Sequence, residues 1–255
     1  MDTGSTSIHS AAINGDFSAV ESLLHTDPKL ASSIDADTRT PLHWVCVSGA
    51  QEIFRFLLSL PNTGSPDAVT LEKLDKADGF GNYHIDINAQ DEGGWTPLMI
   101  AISAGYEDIY LTLLSIPSID ITLLNRGGQS ILHFASSKSR IPAVEKILGS
   151  SEGKKLLRIK DRQGQLPIHR AAASGSLPIT TMLLDAGSQL SAHDVAGWTA
   201  LHHACSEGHG DVAVKLIQEG IDVDKTDQDG EVALKLCPRD GKCENYIRMS
   251  LPDSF

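Results

Sequence analysis

Histidine and cysteine are the residues of this chain whose chemistry first suggests a site. The 255 residues include ten histidines and four cysteines, the usual zinc ligands and, for histidine, a common acid–base catalyst. Four histidines share one local pattern: His43, His133, His169 and His202. The last three are 36 and 33 residues apart, so each belongs to a different structural unit and lies too far from the others to share an ion. We therefore expect these histidines to be structural, with no metal site and no catalytic centre.

Each of these histidines closes a short phrase of the type Thr-Pro-Leu-His. The phrase recurs along the chain, and degraded copies stand near both ends. The copies are Thr40–His43, Thr96–Met99, Ser130–His133, Leu166–His169 and Thr199–His202, and the degraded ones are Ser7–His9 and Val232–Leu234. Self-similarity at a period of about 33 residues is typical of repeat proteins, whose units stack to bury a shared core.

The phrase and the residues that follow it predict two helices in each unit. A hydroxyl followed by proline favours a helix start, and a glycine favours its end because glycine adopts positive φ easily. A second helix with an apolar pair should come next, and an aspartate-containing loop should then turn the chain into the following unit. The glycines are Gly49, Gly105, Gly175 and Gly208, and the loop aspartates are Asp37, Asp91, Asp161, Asp194 and Asp227.

These residues resemble the ankyrin repeat, and the resemblance implies an all-α ankyrin-repeat solenoid. We expect about seven helix-turn-helix units with hairpin loops in one domain, residues 1–255, with atypical capping repeats at both ends. The expected repeats are 5–36, 37–88 with an insertion at 61–85, 91–124, 125–159, 161–193, 194–226 and 227–250. The insertion breaks the period, and we expect a long loop there.

The four cysteines are best explained as components of the fold. Cys46 and Cys205 each follow a histidine of the repeated phrase by three residues, which predicts a buried position in the first helix. Cys237 and Cys243 could in principle bind a metal, but they lack the Cys-x-x-Cys spacing and a second pair of ligands. We expect reduced cysteines and an intracellular protein.

Composition and charge exclude several classes of function. The net charge of −12 argues against a nucleic-acid partner, which requires a basic surface. Residues 1–7 lack the basic and apolar segments typical of a signal peptide, and no apolar stretch is long enough to cross a bilayer, so we expect neither a signal peptide nor a membrane span. The chain also lacks the phosphate-binding, nucleophile-elbow and zinc-protease motifs, so we expect no enzyme and no cofactor.

Two positions of the repeat should be available to a protein partner: the residue before Thr-Pro and the residue after His. All three tryptophans of the chain occupy these positions, and tryptophan and arginine dominate binding hot spots. Charged residues at the hairpin tips and on the first helices complete the predicted surface. The predicted protein-binding residues are Asp37, Arg39, Trp44, Asp91, Glu92, Trp95, Arg126, Phe134, Lys138, Arg162, Arg170, Trp198, His203 and Glu207.

Several longer strings resemble the gankyrin family, chaperones that assemble the regulatory particle of the proteasome. They are Arg39–Trp44, Gly94–Pro97, Ile168–Ala172 with Gly175–Leu177, and Glu207–Asp211. The resemblance implies that the concave groove of a monomer holds the C-terminal domain of one AAA+ ATPase subunit of the proteasome base. It also implies a location in the cytoplasm and nucleus. The family's contact positions match at Asp37, Arg39, Trp44, Asp91, Trp95, Lys138, Arg170 and Glu207.

The chain departs from the gankyrin family in two respects. The insertion at 61–85 is unusual for it, and His203 replaces the leucine of a Leu-x-Cys-x-Glu motif, so the activity linked to that motif is not expected here. An alternative remains open: an ankyrin-repeat adaptor or inhibitor in signalling or transcription, with a different protein partner.

Overall fold

A computed structural model describes residues 7–60, 85–239 and 241–251. Apart from Ile85, the insertion predicted at 61–85 lies outside these residues. The chain divides into two compact units after Arg126. Among the described residues no helix has the length and apolar character required to cross a bilayer.

The first unit consists of helix pairs joined by turns. Its helices are α1 (Ile8–Asn14), α2 (Phe17–Thr26), α3 (Pro41–Ser48), α4 (Gln51–Ser59), α5 (Pro97–Ala104) and α6 (Glu107–Leu113), with a 3-10 helix at Pro28–Ser32. The first helices of the pairs pack side by side, α1 on α3 and α3 on α5. Leu42 and Leu98 of these helices are buried at the centre of the stack.

The second unit continues the pattern of paired helices. Its helices are α7 (Ile131–Ser137), α8 (Ile141–Leu148), α9 (Ser151–Lys155), α10 (Pro167–Ala173), α11 (Leu177–Asp185), α12 (Ala200–Ser206), α13 (Gly210–Gln218) and α14 (Lys242–Ser250), with 3-10 helices at Leu156–Arg158 and Ala233–Leu236. Two hairpins each contain one antiparallel bridge, His193 with Thr199 and Thr226 with Val232. In the last pair a 3-10 helix replaces the first α-helix, as suits a capping repeat.

The repeated phrase starts the first helices as its residue types predict. Thr96 accepts a hydrogen bond from the Met99 amide at 3.2 Å, and Pro97 occupies the first turn, where its missing N–H costs nothing. Cys46 and Cys205 are buried, as predicted.

Helix α9 is an element that the sequence analysis did not anticipate. It lengthens the fourth repeat, and its N-cap residue is Ser150, whose hydroxyl accepts from the Gly153 amide at 3.0 Å. Gly153 lies against the carbonyl oxygen of Ile147, where a Cβ atom would collide with it. The absence of a side chain at this one position therefore allows α9 to pack on the end of α8.

The predicted helix-ending glycines all adopt positive φ: 73° at Gly49, 92° at Gly105, 68° at Gly175 and 78° at Gly208. The equivalent residue after α7 is Ser139, with a φ of 54°. A side chain in this left-handed conformation is strained, because its Cβ crowds the backbone.

We expect Ser139→Gly to raise the free energy of unfolding by roughly 0.5–1 kcal/mol, because glycine removes this strain. Urea denaturation measures the change. The reciprocal control is Gly15→Ser, since Gly15 has a φ of 71° and room for a Cβ atom, whose nearest neighbour would be the Ala50 Cβ at 3.9 Å. That substitution should destabilise by a similar amount. A Ser139→Gly variant less stable than the parent would contradict the strain argument.

Candidate functional site

The repeated histidines form buried bridges between neighbouring hairpins. Nδ1 of His43 accepts a hydrogen bond from the Thr40 amide at 3.1 Å, and Nε2 lies 3.1 Å from the Trp95 carbonyl oxygen. An amide N–H can only donate and a carbonyl oxygen can only accept. These two partners therefore fix the neutral tautomer, with the proton on Nε2.

The other three histidines make the same bridge. Their Nδ1 atoms accept from the amides of Ser130, Leu166 and Thr199. Their Nε2 atoms donate to the carbonyl oxygens of Gln165, Ala192 and Glu231. Burial lowers the pKa of all four imidazoles, and it lowers that of His169 to about 4. These histidines are structural, as the sequence analysis predicted.

The aspartates of the hairpins organise the turns through one carboxylate oxygen. Oδ1 of Asp161 accepts from the amides of Gln163 and Gln165, both at 2.9 Å. In the same way, backbone amides donate to the Oδ1 atoms of Asp35, Asp91, Asp194 and Asp227. In the second repeat the turn residue is therefore Asp35, four residues before Arg39. The assignment of this role to Asp37 was wrong, since Asp37 is exposed and donates its amide to Asp35.

The second oxygen of these carboxylates accepts hydrogen bonds from side chains at the two repeat positions that were expected to be free for a partner: the residue before Thr-Pro and the residue after His. Arg39, which precedes Thr40, donates from Nε to Oδ2 of Asp91 in the next hairpin at 3.0 Å. Arg170, which follows His169, donates to Oδ2 of Asp161 in its own hairpin at 2.7 Å. Both positions are thus fixed by the fold before any partner arrives. We call this arrangement the carboxylate ladder.

In the first unit the carboxylate ladder orders a cluster of tryptophan and arginine. Nε1 of Trp44 donates to Oδ2 of Asp35 at 2.6 Å, and the guanidinium of Arg39 lies 5.0 Å from the Trp44 ring centroid. The Asp91 side chain is 3% exposed and that of Arg39 is 29% exposed. The carboxylate of this ion pair is therefore buried and the guanidinium is partly exposed. The pair is more rigid than one between two fully exposed side chains.

Trp95 lies between two shallow depressions of the first unit. One is polar and includes Asp37, Glu92 and Arg126, while the other is mainly apolar and includes Val47 and Ile100. Trp95 and Arg39 line both depressions, and the tryptophan is half-buried. A partner at this surface would meet an apolar contact and a set of charged groups at once.

The second unit contains a corresponding cluster around Trp198. Its Nε1 donates to Oδ2 of Asp227 at 3.0 Å, and the ring packs edge-on against His203 with centroids 5.2 Å apart. Nε2 of His203 lies 3.0 Å from Oδ2 of Asp194. Burial raises the pKa of Asp194, but hydrogen bonds from Gln165, the Trp198 amide and His203 outweigh it and lower the pKa below its usual value. Asp194 therefore stays ionised at neutral pH.

The remaining predicted residues differ in their exposure. Those exposed to solvent are Asp37, Glu92, Arg126, Lys138, Arg162 and Glu207, and Arg126 lies 3.8 Å from Glu92. Phe134 is only 7% exposed, so it presents little surface of its own. Its position after the histidine resembles that of Trp44, but here the side chain packs into the core.

The described residues contain no group of three or more histidine, cysteine, aspartate or glutamate side chains arranged to hold a metal ion. The hairpin carboxylates of the described residues are already joined to arginine, tryptophan, histidine or glutamine donors. Such an arrangement can present fixed indole, guanidinium and carboxylate groups to a partner's surface.

The paired helices, hairpins and histidine bridges define an ankyrin-repeat protein. A family model for ankyrin repeats (three copies) matches residues 1–69, 68–157 and 132–227, so the chain belongs to the ankyrin-repeat family. The crystal structure of the human ASB11 ankyrin repeat domain has the same fold, with a TM-score of 0.68 and 18% identity. That likeness covers 95% of this chain and 96% of the other. The predicted all-α ankyrin fold is confirmed.

Within this family the chain is similar to a proteasome subunit. It is 35% identical to the "Probable 26S proteasome regulatory subunit p28" of Saccharomyces cerevisiae, over 89% of this chain and 90% of that protein. It is also 35% identical to "Ankyrin repeat-containing protein C6C3.08" of Schizosaccharomyces pombe, over 89% of this chain and 88% of that protein. The expected resemblance to the gankyrin family is confirmed.

The buried histidines make stability dependent on pH, with a definite sign. Their pKa values in the folded chain lie below the ordinary value of about 6.5, so the folded state favours the neutral form. Their stabilising contribution is complete above about pH 6.5 and is lost as the pH falls below it, and for His169 the loss continues to about pH 4. Between pH 7.5 and pH 5 we expect the free energy of unfolding to fall by about 2 kcal/mol from His169 alone.

Urea denaturation at the two pH values measures this difference. His169→Gln should reduce the pH dependence, because the titrating group is gone. The control is His25→Gln, at an exposed position, which should leave the pH dependence unchanged. Equal pH dependence in the parent and in His169→Gln would show that this imidazole is not held neutral by the fold.

Proposed function

We propose that this chain is an assembly chaperone of the proteasome. It holds the C-terminal domain of one AAA+ ATPase subunit of the proteasome base in the concave groove of its repeats, and so assists assembly of the 19S regulatory particle. The observation that carries the proposal is the similarity to the yeast proteasome regulatory subunit p28, which extends over nine-tenths of both chains. A match confined to a few repeats would support only a shared fold.

The geometry supports protein binding as the mode of action. Trp95 offers a large half-buried ring beside Arg39, and the ion pair to Asp91 keeps the arginine in place. Groups that are ordered before binding lose little conformational entropy when a partner arrives. Ordered tryptophan and arginine side chains at the centre of an interface are the usual source of binding energy.

The remaining parts of the proposal follow from charge and from the relatives. A net charge of −12 disfavours nucleic acid and anionic membranes, which leaves a protein as the partner. We propose a monomer that acts in the cytoplasm and nucleus, without enzymatic activity and without a cofactor.

Affinity purification of the tagged chain from its own cells, followed by mass spectrometry, tests the identity of the partner. We expect to recover the ATPase subunits of the proteasome base. Recovery of signalling or transcription proteins without base subunits would favour an ankyrin-repeat adaptor and would refute the proteasome role.

We expect Trp95→Ala to weaken binding to the recovered ATPase domain by roughly 2 kcal/mol or more, because the central ring supplies apolar contact. Isothermal titration measures the affinity. The free energy of unfolding should change by about 1 kcal/mol or less, since the ring is half-buried and lies at the surface.

The control is Tyr246→Ala, which removes an aromatic ring that is 51% exposed on the outlying helix α14. It should leave the affinity unchanged. A Trp95→Ala protein that unfolds easily but binds normally when folded would show that this tryptophan serves packing and not recognition.

A further inference from the structure

The basic residues of this acidic chain are concentrated in one stretch. Residues 138–162 contain eight of the 21 lysines and arginines but only three of the 33 acidic residues. This stretch therefore carries a net charge of +5, and the rest of the chain carries −17. Such a separation of charge creates a local field that selects partners of the opposite sign.

The extra helix of the fourth repeat presents these charges. Helix α9 packs on the end of α8 through Gly153, and the 3-10 helix at Leu156–Arg158 follows it directly. We use the name basic surface for the exposed cations on these consecutive elements and on the short segment after them. They are Lys146, Lys154, Lys155, Arg158 and Lys160.

Few of these charges are neutralised by acidic neighbours. Lys155 pairs with Glu152 at 2.6 Å, but both side chains are more than half exposed, and such surface pairs contribute little. Lys160 lies 3.3 Å from the His193 carbonyl oxygen, a contact that leaves its charge in place.

The basic surface adjoins an apolar depression at the hairpin tips. Lys160 and Lys225 both line this depression, and Val195 at its wall is 63% exposed. The acidic groups that line it already accept hydrogen bonds: Asp194 from His203, and Asp227 from Trp198. An apolar side chain would fit against Val195 while neighbouring carboxylates met the lysines.

We propose that the basic surface and this depression bind a short acidic segment of a protein partner, one that carries an apolar residue among its carboxylates. The net charge of −17 on the rest of the chain explains why the occupant is a short segment. A DNA duplex or an anionic membrane would extend beyond the basic surface and meet the acidic remainder of the chain. This proposal does not depend on the proteasome role.

Fluorescence anisotropy with a labelled peptide of ten glutamates and two leucines tests the proposal on the full chain. We expect the peptide to bind and the same peptide with glutamine for glutamate to bind far more weakly. The double substitution Lys154→Glu with Lys155→Glu should weaken binding by about tenfold, because two attractions become repulsions.

A matched control separates the basic surface from the total charge. Lys29→Glu with Arg55→Glu changes the net charge equally at exposed positions of the first unit, and it should alter the affinity by less than about twofold. Equal weakening in both variants, or no binding of the glutamate peptide, would overturn the proposal. Tighter binding to a 20-base-pair duplex, or to vesicles with anionic lipid, would also overturn it.

A second and independent inference comes from the thiols of the C-terminal cap. Cys237 follows the 3-10 helix Ala233–Leu236, and Cys243 lies in the first turn of α14. Their Sγ atoms are 3.5 Å apart, and Cys205 is a third thiol in contact with Cys237. Cys237 is half-buried, whereas Cys205 and Cys243 are buried.

A hydrogen bond with Cys205 lowers the pKa of Cys237 to about 7, although burial opposes this change. The more accessible thiol is therefore also the more nucleophilic.

We infer that a hydroperoxide oxidises Cys237 and Cys243 to a disulfide that ties α14 to the preceding 3-10 helix. The Cys237 thiolate attacks a peroxide oxygen, forming a sulfenic acid, and with hydrogen peroxide the leaving hydroxide becomes water. The Cys243 sulfur then attacks the sulfenic sulfur and forms the S–S bond, and a second water leaves. Two thiols are oxidised by two electrons, and one peroxide is reduced to two waters.

Mass spectrometry of the full chain after treatment with hydrogen peroxide tests this inference. We expect a peptide link between Cys237 and Cys243, a mass loss of about 2 Da for two hydrogens, and a rise in Tm of roughly 5 °C that dithiothreitol reverses. Cys237→Ser should abolish the link, and Cys243→Ser should leave a sulfenic acid that dimedone traps. The control Cys46→Ser should oxidise like the parent. A link between Cys205 and Cys237, or four free thiols after treatment, would overturn the inference.

Discussion

The two oxygens of each hairpin carboxylate constrain the rest of this molecule. One oxygen accepts backbone amides and shapes the turn, as in Asp161 with Gln163 and Gln165. The other is also largely buried, since the side chains of Asp91 and Asp161 are 3% and 2% exposed, and a buried charge without a partner would be costly. Side chains from the repeat's own first helix or from the preceding hairpin satisfy it, as Arg170 and Arg39 do. The surface that a partner would touch is therefore held by the same groups that hold the turns.

Much of the fold could be predicted from the sequence because its signals are local. The Thr-Pro-Leu-His phrase predicted the first helices and the structural role of its histidines, which the bridge from Thr40 through His43 to Trp95 bears out. Three features were not predicted. Helix α9 depends on the close contact of Gly153 with α8, Ser139 adopts a conformation usually left to glycine, and Asp35 rather than Asp37 forms its turn. The first two need tertiary contacts to override local preference, whereas the third was visible as a spacing of four residues before Arg39.

The candidate site was predicted in its residue types but not in its connections. The sequence alone showed that the tryptophans are concentrated at two positions of the repeat. Whether these rings were free depended on which carboxylate each could reach, and that is a property of neighbouring hairpins in space. Trp44 and Trp198 donate to aspartates, while Phe134 in an equivalent position is buried. Aromatic character alone could not distinguish these outcomes.

The carboxylate ladder also changes what counts as a module in this protein. Arg39 belongs to one repeat by sequence, but its ion pair belongs to the junction with Asp91 of the next. Transplanting the second repeat alone into a different ankyrin array would cut this pair and leave Asp91 of the next repeat without its arginine. A transplanted unit that preserves this pair therefore runs from one hairpin to the next, offset from the sequence repeat.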